Sequence, residues 1–302
     1  MSIFSSIAIW IRVARLRTLP LSLSGIVVGS SAAYAVSSFD PTIFVLAVLT
    51  TISFQVLSNF ANDYGDGVKG TDNKDRLGPQ RGIQSGQIKP HSLRMAIWTN
   101  SFISVLLTLL LVFVAFRSNF QSTLFFIGLG ALAIASAIFY TVGSKSYGYK
   151  GYGDVFVFVF FGLVSVIGSN YLFVKTIDFL LFLPATAVGL FSVAVLHLNN
   201  MRDVINDTNF GKNTLAVRLG TRKSNAYHVF LILTPMILTL VYAYLSSSPY
   251  CYLIVLFLGM PLFGHLKRVL NRHSDMELDP ELKKIAILTF LYACLVGVLI
   301  NL

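Results

Sequence analysis

Apolar residues in this chain come in long unbroken runs. Nine runs approach the roughly 20 residues that a helix needs to cross a bilayer. They cover 19–37, 42–62, 93–116, 122–142, 154–174, 178–200, 226–246, 250–270 and 284–302. None alternates with a period of two, so membrane strands are excluded. Several runs contain Gly, Ser, Thr or Pro, which helices packed closely in lipid favour. The opening stretch "MSIFSSIAIWIRVARLRTLP" carries Arg12, Arg15 and Arg17 near its end. It predicts an amphipathic arm over 1–18 lying on the membrane surface rather than a cleavable leader. The expected fold is all-α: a bundle of nine transmembrane helices forming one polytopic domain over 1–302.

Composition agrees with a membrane-embedded chain. Only 12% of the 302 residues are charged and 55% are hydrophobic, where a soluble domain is about 25% charged. The basic residues give the orientation. Of the 23 Lys and Arg, 21 fall in the N-terminal arm or in segments that follow an even-numbered helix. Only Arg117 and Lys175 lie on the other side. The positive-inside rule then puts the N-terminus in the cytoplasm and the C-terminus outside. The net charge of +10 is a topology signal, and no nucleic-acid partner is expected, because the basic residues flank membrane spans. The lipid bilayer is the expected surrounding partner. Cys251 and Cys294 sit in separate apolar runs and read as small buried hydrophobes. His91, His228, His265 and His273 lack ligand spacing, and His197 reads as a satisfied polar group within the bundle.

Two polar segments stand apart from the short outward loops. The segments 62–92 and 199–225 are long, rich in functional groups and expected in the cytoplasm. Each opens with the same grammar: Asn62-Asp63-x-x-Asp66 and, 137 residues later, Asn199-Asn200-x-x-Asp203. On a helix, residues four apart share a face. Asn199, Asp203 and Asp207 therefore form a ladder, and Asn62 and Asp66 begin another. Carboxylates at i and i+4 repel, and a helix C-terminus disfavours negative charge. Basic partners such as Arg202 or Lys69 would offset these costs, and divalent cations would do so better. Mg2+ takes oxygen ligands and bridges to phosphates. The interleaved Arg76, Arg81, Lys145, Arg202 and Lys212 suit the remaining phosphate oxygens. The pattern therefore suits a Mg-diphosphate site; the competing reading is aspartates solvated at the membrane edge. Gly65, Gly67 and Gly70, three within six residues, predict a broken helix end that folds around a ligand. No strand precedes them, so this is no Walker loop.

At these residues the sequence resembles the UbiA superfamily of intramembrane prenyltransferases. That superfamily is marked by NDxxDxxxD and DxxxD motifs after helices 2 and 6 of a nine-helix bundle. Asp203 and Asp207 match the second motif, and Asn62, Asp63 and Asp66 match the start of the first. The pattern then departs: Gly70 stands where the third acid belongs, and Asp72 and Asp75 follow. Asp72 is the expected third acid. "NDYGDGVKGTDNKDRLGPQRGIQSG", "YTVGSKSYGYKGYGDVFVFVFFG" and "NNMRDVINDTNFGKNTLAVRLG" are similar to the subgroup that prenylates 1,4-dihydroxy-2-naphthoate in menaquinone biosynthesis.

The resemblance implies Mg2+-dependent transfer of a polyprenyl group from a polyprenyl diphosphate to that aromatic acceptor. The acceptor carboxylate is lost and demethylmenaquinone results. It implies metal ligands at Asp66, Asp72, Asp203 and Asp207, with Asp66 and Asp203 central to catalysis. Asn62, Asn199, Arg76, Arg81, Arg202 and Lys212 are expected to bind substrate. In the middle stretch, Lys145 is expected to anchor the diphosphate, and Tyr147 or Asp154 to orient the acceptor. A basic, aromatic interfacial belt is the equally simple reading of that stretch. The implied location is a bacterial cytoplasmic (inner) membrane with the active site facing the cytoplasm. The alternatives are prenylation of a 4-hydroxybenzoate or homogentisate type of acceptor and, more distantly, transport. Transport sites lie near the midplane, whereas these charges lie at one edge.

Overall fold

A computed structural model describes residues 3–117, 119–246 and 249–302. The first two residues of the expected arm, and Ser118, Ser247 and Ser248 of the expected outward loops, lie outside the described residues. Every regular element among the described residues is helical. Among the described residues nine segments are long and apolar enough to cross a membrane.

The arm is helix α1 (Ile3–Ala14), which packs on α3. The apolar stretch Ile7–Ala35 breaks at Arg15, where the backbone turns left-handed, and α2 (Leu19–Ala35) follows. Next come α3 (Pro41–Val68), α4 (Pro90–Phe116) and α5 (Phe120–Phe139). The Asp40 carboxylate caps α3 by accepting from the Thr42 and Ile43 amides, and Asn119 caps α5 through the Ser122 amide. The fifth span, Gly153–Val174, joins α6 (Gly153–Val157), a π-helical segment Phe158–Gly168 and α7 (Ser169–Val174). Then follow α8 (Phe182–Arg202), the short α9 (Val204–Asn209), α10 (Leu215–Leu245), α11 (Tyr252–Leu270) and α12 (Leu278–Leu299).

Helix α8 is buried along most of its length against α10, α12 and the π-helical segment. Helix α2 fills the space between α12, α3 and the fifth span. Helix α5 rests mainly on α3 and α4, touches α7 where Phe126 stacks on Tyr171, and has few fully buried residues. The exterior carries large apolar groups such as Trp98, Phe113, Phe125, Met260 and Phe263, as lipid contact favours.

Two expectations about local structure are corrected. The helix carrying the first motif does not break at the glycines; α3 runs on to Val68. Gly65 presses against Thr141, where a Cβ would come within 2.7 Å of the Thr141 carbonyl carbon, and Gly67 lies against Ile83. These two glycines serve close packing, which outweighs their low helix propensity. Only Gly70, at φ +76°, ends the helix. The seventh span also starts before 226: a short helix capped by the Thr214 hydroxyl begins at Leu215 and breaks at Gly220 (φ 66°, ψ 170°), and the long helix follows directly.

Candidate active site

The last two turns of α3 aim Asn62 and Asp66 into a chamber at the polar-loop end of the bundle. Beyond Gly70 the chain doubles back, and the Asp72 amide donates to the Asp66 carbonyl (3.3 Å). That reversal brings Asp72 beside Asp66 although it lies six residues on. Across the chamber, α8 ends at Arg202. The Asp203 amide donates to the Asn199 carbonyl (3.1 Å), and the Asp207 amide donates to the Asp203 carbonyl (2.8 Å). The second ladder thus survives a kink. Two amides tie the halves together: Asn73 donates to the Asn206 side chain and Asn206 to the Thr71 carbonyl, both at 2.8 Å.

Asp66, Asp72, Asp203 and Asp207 are all buried, at 3–6% exposure, so each needs a counter-charge. Two cations bridge the motifs. Lys212 Nζ lies 3.3 Å from Asp66 and 3.9 Å from Asp207. Arg76 lies 3.3 Å from Asp72 and 3.2 Å from Asp203. Arg202 clamps Asp203 with a two-point fork at 2.9 and 2.8 Å, donates to Asn199 Oδ1 (2.8 Å) and pairs with Asp279. Arg81 approaches Asp72 at 3.6 Å.

The four carboxyls are not equivalent. Burial pushes Asp72 up to about 7, with the neighbouring Asp66 charge adding to it. Burial likewise pushes Asp207 up to about 7, against the pull of Lys212. Burial acts on Asp203 too, but the hydrogen bonds of Arg202 and the charges of Arg76 and Arg202 outweigh it, so Asp203 stays below the ordinary aspartate range. Lys212 is held above the ordinary lysine range, because Asp66 and Asp207 outweigh its desolvation.

These groups fit a hard cation. Both oxygens of Asp72 are buried without a hydrogen-bond donor, and all the acidic groups are oxygen donors suited to Mg2+. Among the described residues no three acidic, His or Cys groups converge on one point. That spread is compatible with ions held by one or two carboxylates each.

The remaining expected residues divide. Asn62, Asn199, Arg76, Arg81, Arg202 and Lys212 all line the chamber. Asp63 also lines the chamber but accepts from the Gly82 (3.0 Å) and Ile83 (3.3 Å) amides and so shapes the loop, and Asp75 is exposed. Lys145 lies exposed beyond the left-handed turn at Gly143 (φ 89°) and lines neither the chamber nor the channel. The loop is held by Lys69, which donates to the Thr141 carbonyl and the Ser146 hydroxyl. Asp154 is buried but lines neither chamber nor channel. Tyr147 stacks on Phe156 (4.0 Å), donates to the Ser136 carbonyl and lines the apolar channel described below.

Sequence reasoning missed Tyr149, whose hydroxyl donates to Asp66 (2.8 Å) and whose ring lies under Lys69 (3.9 Å). It also missed Asp279 and the place of Arg15 in the wall. Tyr149 lies in the middle stretch that carries the resemblance, two residues after the expected Tyr147, whereas Asp279 and Arg15 sit in no motif.

The chamber has a volume of about 490 Å3. It adjoins an apolar channel of about 320 Å3, and Asn62, Tyr140, Val157, Phe161 and Leu196 line both. The channel runs between α3, α5 and the π-helical segment. A third cavity continues it past Phe126, Leu129 and Val164 toward Ile177 and Phe182. A charged head and a long apolar tail would fit this arrangement together.

A sequence profile of the UbiA prenyltransferase family matches residues 22–280. The chain belongs to the UbiA prenyltransferase family. Within that family it is 43% identical to a 1,4-dihydroxy-2-naphthoate octaprenyltransferase of Haemophilus influenzae, over 93% of this chain and 92% of that one. It is 46% identical to the Escherichia coli protein of the same name, over 76% and 74%. Among solved structures, a UbiA homolog from Archaeoglobus fulgidus bound to DMAPP and Mg2+ superposes with a TM-score of 0.69. It covers 97% of this chain and 99% of its own at 12% identity, so the UbiA fold is shared.

Proposed function

We propose that this UbiA-family protein transfers a polyprenyl group from a polyprenyl diphosphate to 1,4-dihydroxy-2-naphthoate. The allylic carbon–oxygen bond breaks and diphosphate leaves. A carbon–carbon bond forms at the ring carbon that bore the carboxylate, which departs as CO2 and leaves its bonding electrons to the ring, giving a demethylmenaquinol. The observation that carries the transferase reading is the joint between a charged chamber and an apolar channel, which fits the two ends of a prenyl diphosphate. The choice of naphthoate rests on relatives of that name aligned along most of the chain.

Asp66, Asp72, Asp203 and Asp207 would hold Mg2+, which supplies charge to stabilise the leaving diphosphate. Arg76, Arg81, Arg202 and Lys212 bind phosphate oxygens, and Asn62 and Asn199 orient the head group. The channel keeps water from the allylic cation. Tyr147, stacked on Phe156 in its wall, offers an aromatic face to the cation or to the acceptor ring. The whole chain is read as one domain in a bacterial inner membrane. The distribution of Lys and Arg supports a cytoplasmic N-terminus and a chamber open to the cytoplasm.

The test is an assay of the purified protein in lipid with dihydroxynaphthoate, a polyprenyl diphosphate and Mg2+. Prenylated naphthoquinol is expected. Product from 4-hydroxybenzoate but none from the naphthoate would sink the acceptor assignment.

A further inference from the structure

The joint between α1 and α2 holds a residue that the reaction as described does not use. Arg15 has φ 51° and ψ 53°, a left-handed conformation that a helix end normally gives to glycine. The surrounding structure holds it there. The Thr18 amide and hydroxyl both donate to the Arg15 carbonyl at 2.9 Å. The buried Asn59 of α3 donates to the Ala14 carbonyl (2.8 Å) and to the Thr18 hydroxyl (3.3 Å). A strained turn over-determined in this way points to a use for the side chain it aims.

That side chain enters the chamber wall. Its Nη2 is buried and meets no hydrogen-bond acceptor, and no ion pair of Arg15 is found among the described residues. Its nearest acidic neighbours are already committed. Asp63 is taken by the Gly82 and Ile83 amides, and Asp72 faces Arg76 and Arg81. Arg81 Nη1 is likewise buried without a partner. Around Asp72 three guanidiniums, those of Arg15, Arg76 and Arg81, line the chamber, and two of them keep an unused donor. A half-buried cation whose inner N–H group is free suits an incoming oxyanion.

We propose that Arg15 is an oxyanion-binding residue of the chamber, donating to the diphosphate of the prenyl donor or to the carboxylate of the aromatic acceptor. This rests on the function proposed above.

The test uses the full-length protein in lipid nanodiscs. Arg15→Asn removes the guanidinium but tolerates the left-handed backbone. Arg15→Lys keeps the charge without the fork. Calorimetry with inorganic diphosphate and Mg2+ gives the affinity without turnover, and steady-state kinetics give KM for each substrate. Losing a hydrogen bond to a charged group corresponds to about a 10- to 100-fold effect. A loss of that size in diphosphate affinity, with the acceptor KM unchanged, assigns the donor. A rise of that size in the acceptor KM, with diphosphate affinity unchanged, assigns the carboxylate. Arg15→Lys should fall between.

Arg15→Asn should unfold at or above the wild-type temperature, because strain is relieved; a merely structural arginine predicts a fall. Wild-type diphosphate affinity together with wild-type KM for both substrates overturns the proposal, whatever the unfolding temperature. If Arg15→Asn does not fold, Arg15→Gly suits the backbone still better and carries the same measurements. If the wild type binds diphosphate but prenylates no naphthoate, the functional reading fails, and the diphosphate measurement alone decides the role of Arg15.

Discussion

Gly65 offers the sharpest test of how the fold positions the chamber. It immediately precedes Asp66 and lies against the loop after α5. A Cβ placed there would sit 2.5 Å from Thr141 Oγ1, 2.7 Å from its Cβ and 2.7 Å from its backbone carbonyl carbon. Backbone cannot rotate aside as a side-chain tip can. Thr141 is also anchored from three sides: its hydroxyl donates to the Ala61 carbonyl (2.9 Å) and approaches Asn62 Oδ1 (3.4 Å), while Lys69 holds its carbonyl (2.7 Å). Ordinary contact begins near 3.4 Å, so in Gly65→Ala the two elements must part by about 0.7–0.9 Å, in the range where overpacking costs about 1–3 kcal/mol. The gain in helix propensity offsets roughly 1 kcal/mol of that. Stability should therefore change little, falling by at most about 2 kcal/mol. Turnover should fall much further, because displacing a reacting group by about 1 Å costs about 100-fold. Parallel thermal unfolding and prenyl-transfer assays separate the two effects. Gly259→Ala, inside α11 with nothing near its added Cβ, is the control: it should match the wild type in turnover and gain up to about 1 kcal/mol in stability. A Gly65→Ala protein with wild-type turnover would refute the claim that this contact sets the position of Asp66.

Further outcomes follow from the charge arrangement. Asp203→Ala should insert normally but lose about 100- to 1000-fold in turnover, since it leaves Arg202 and Arg76 without their shared partner; near-normal rates would count against the carboxylate's role. Lys212→Met strips the cation from two buried carboxylates and should cost about 3–5 kcal/mol, read as a lower unfolding temperature in the absence of Mg2+. Glu281, buried on α12, holds His265 (2.6 Å), Arg268 (2.7 Å) and Lys284, and His265 in turn meets His228 (2.8 Å). Glu281→Ala should cost a similar amount, with turnover at low temperature affected far less because Glu281 lies outside the chamber wall. Lys145→Ala should keep wild-type turnover, since the exposed lysine lines neither the chamber nor the channel; a tenfold loss would return it to the site.

Much of this protein was legible in its residues. Nine apolar runs predicted the nine membrane-crossing segments found among the described residues, because the bilayer demands length and apolarity without reference to partners. The two Asn-Asp motifs were legible too. Their i, i+4 spacing puts them on helix faces, and membrane topology puts both at one end. The pairing of charges was not legible. That Lys212 bridges Asp66 and Asp207 across 146 positions of sequence, or that Arg76 joins both motifs, depends on how α3 and α8 pack.

The glycines show the division most clearly. From sequence, three in six residues argue for a broken helix, because propensity is a local property. In the fold, Gly65 and Gly67 stay helical, since contacts with Thr141 and Ile83 leave no room for a side chain. Only Gly70 breaks the helix, and the resulting reversal brings Asp72 back beside Asp66. The sequence alone determined that this is a helical membrane protein with two acidic motifs at one end, because burial in lipid and helical periodicity act along the chain. The tertiary structure decided which charges meet, which lysine stays outside and where a polar chamber opens into an apolar channel. Those depend on distances between helices that no local pattern encodes.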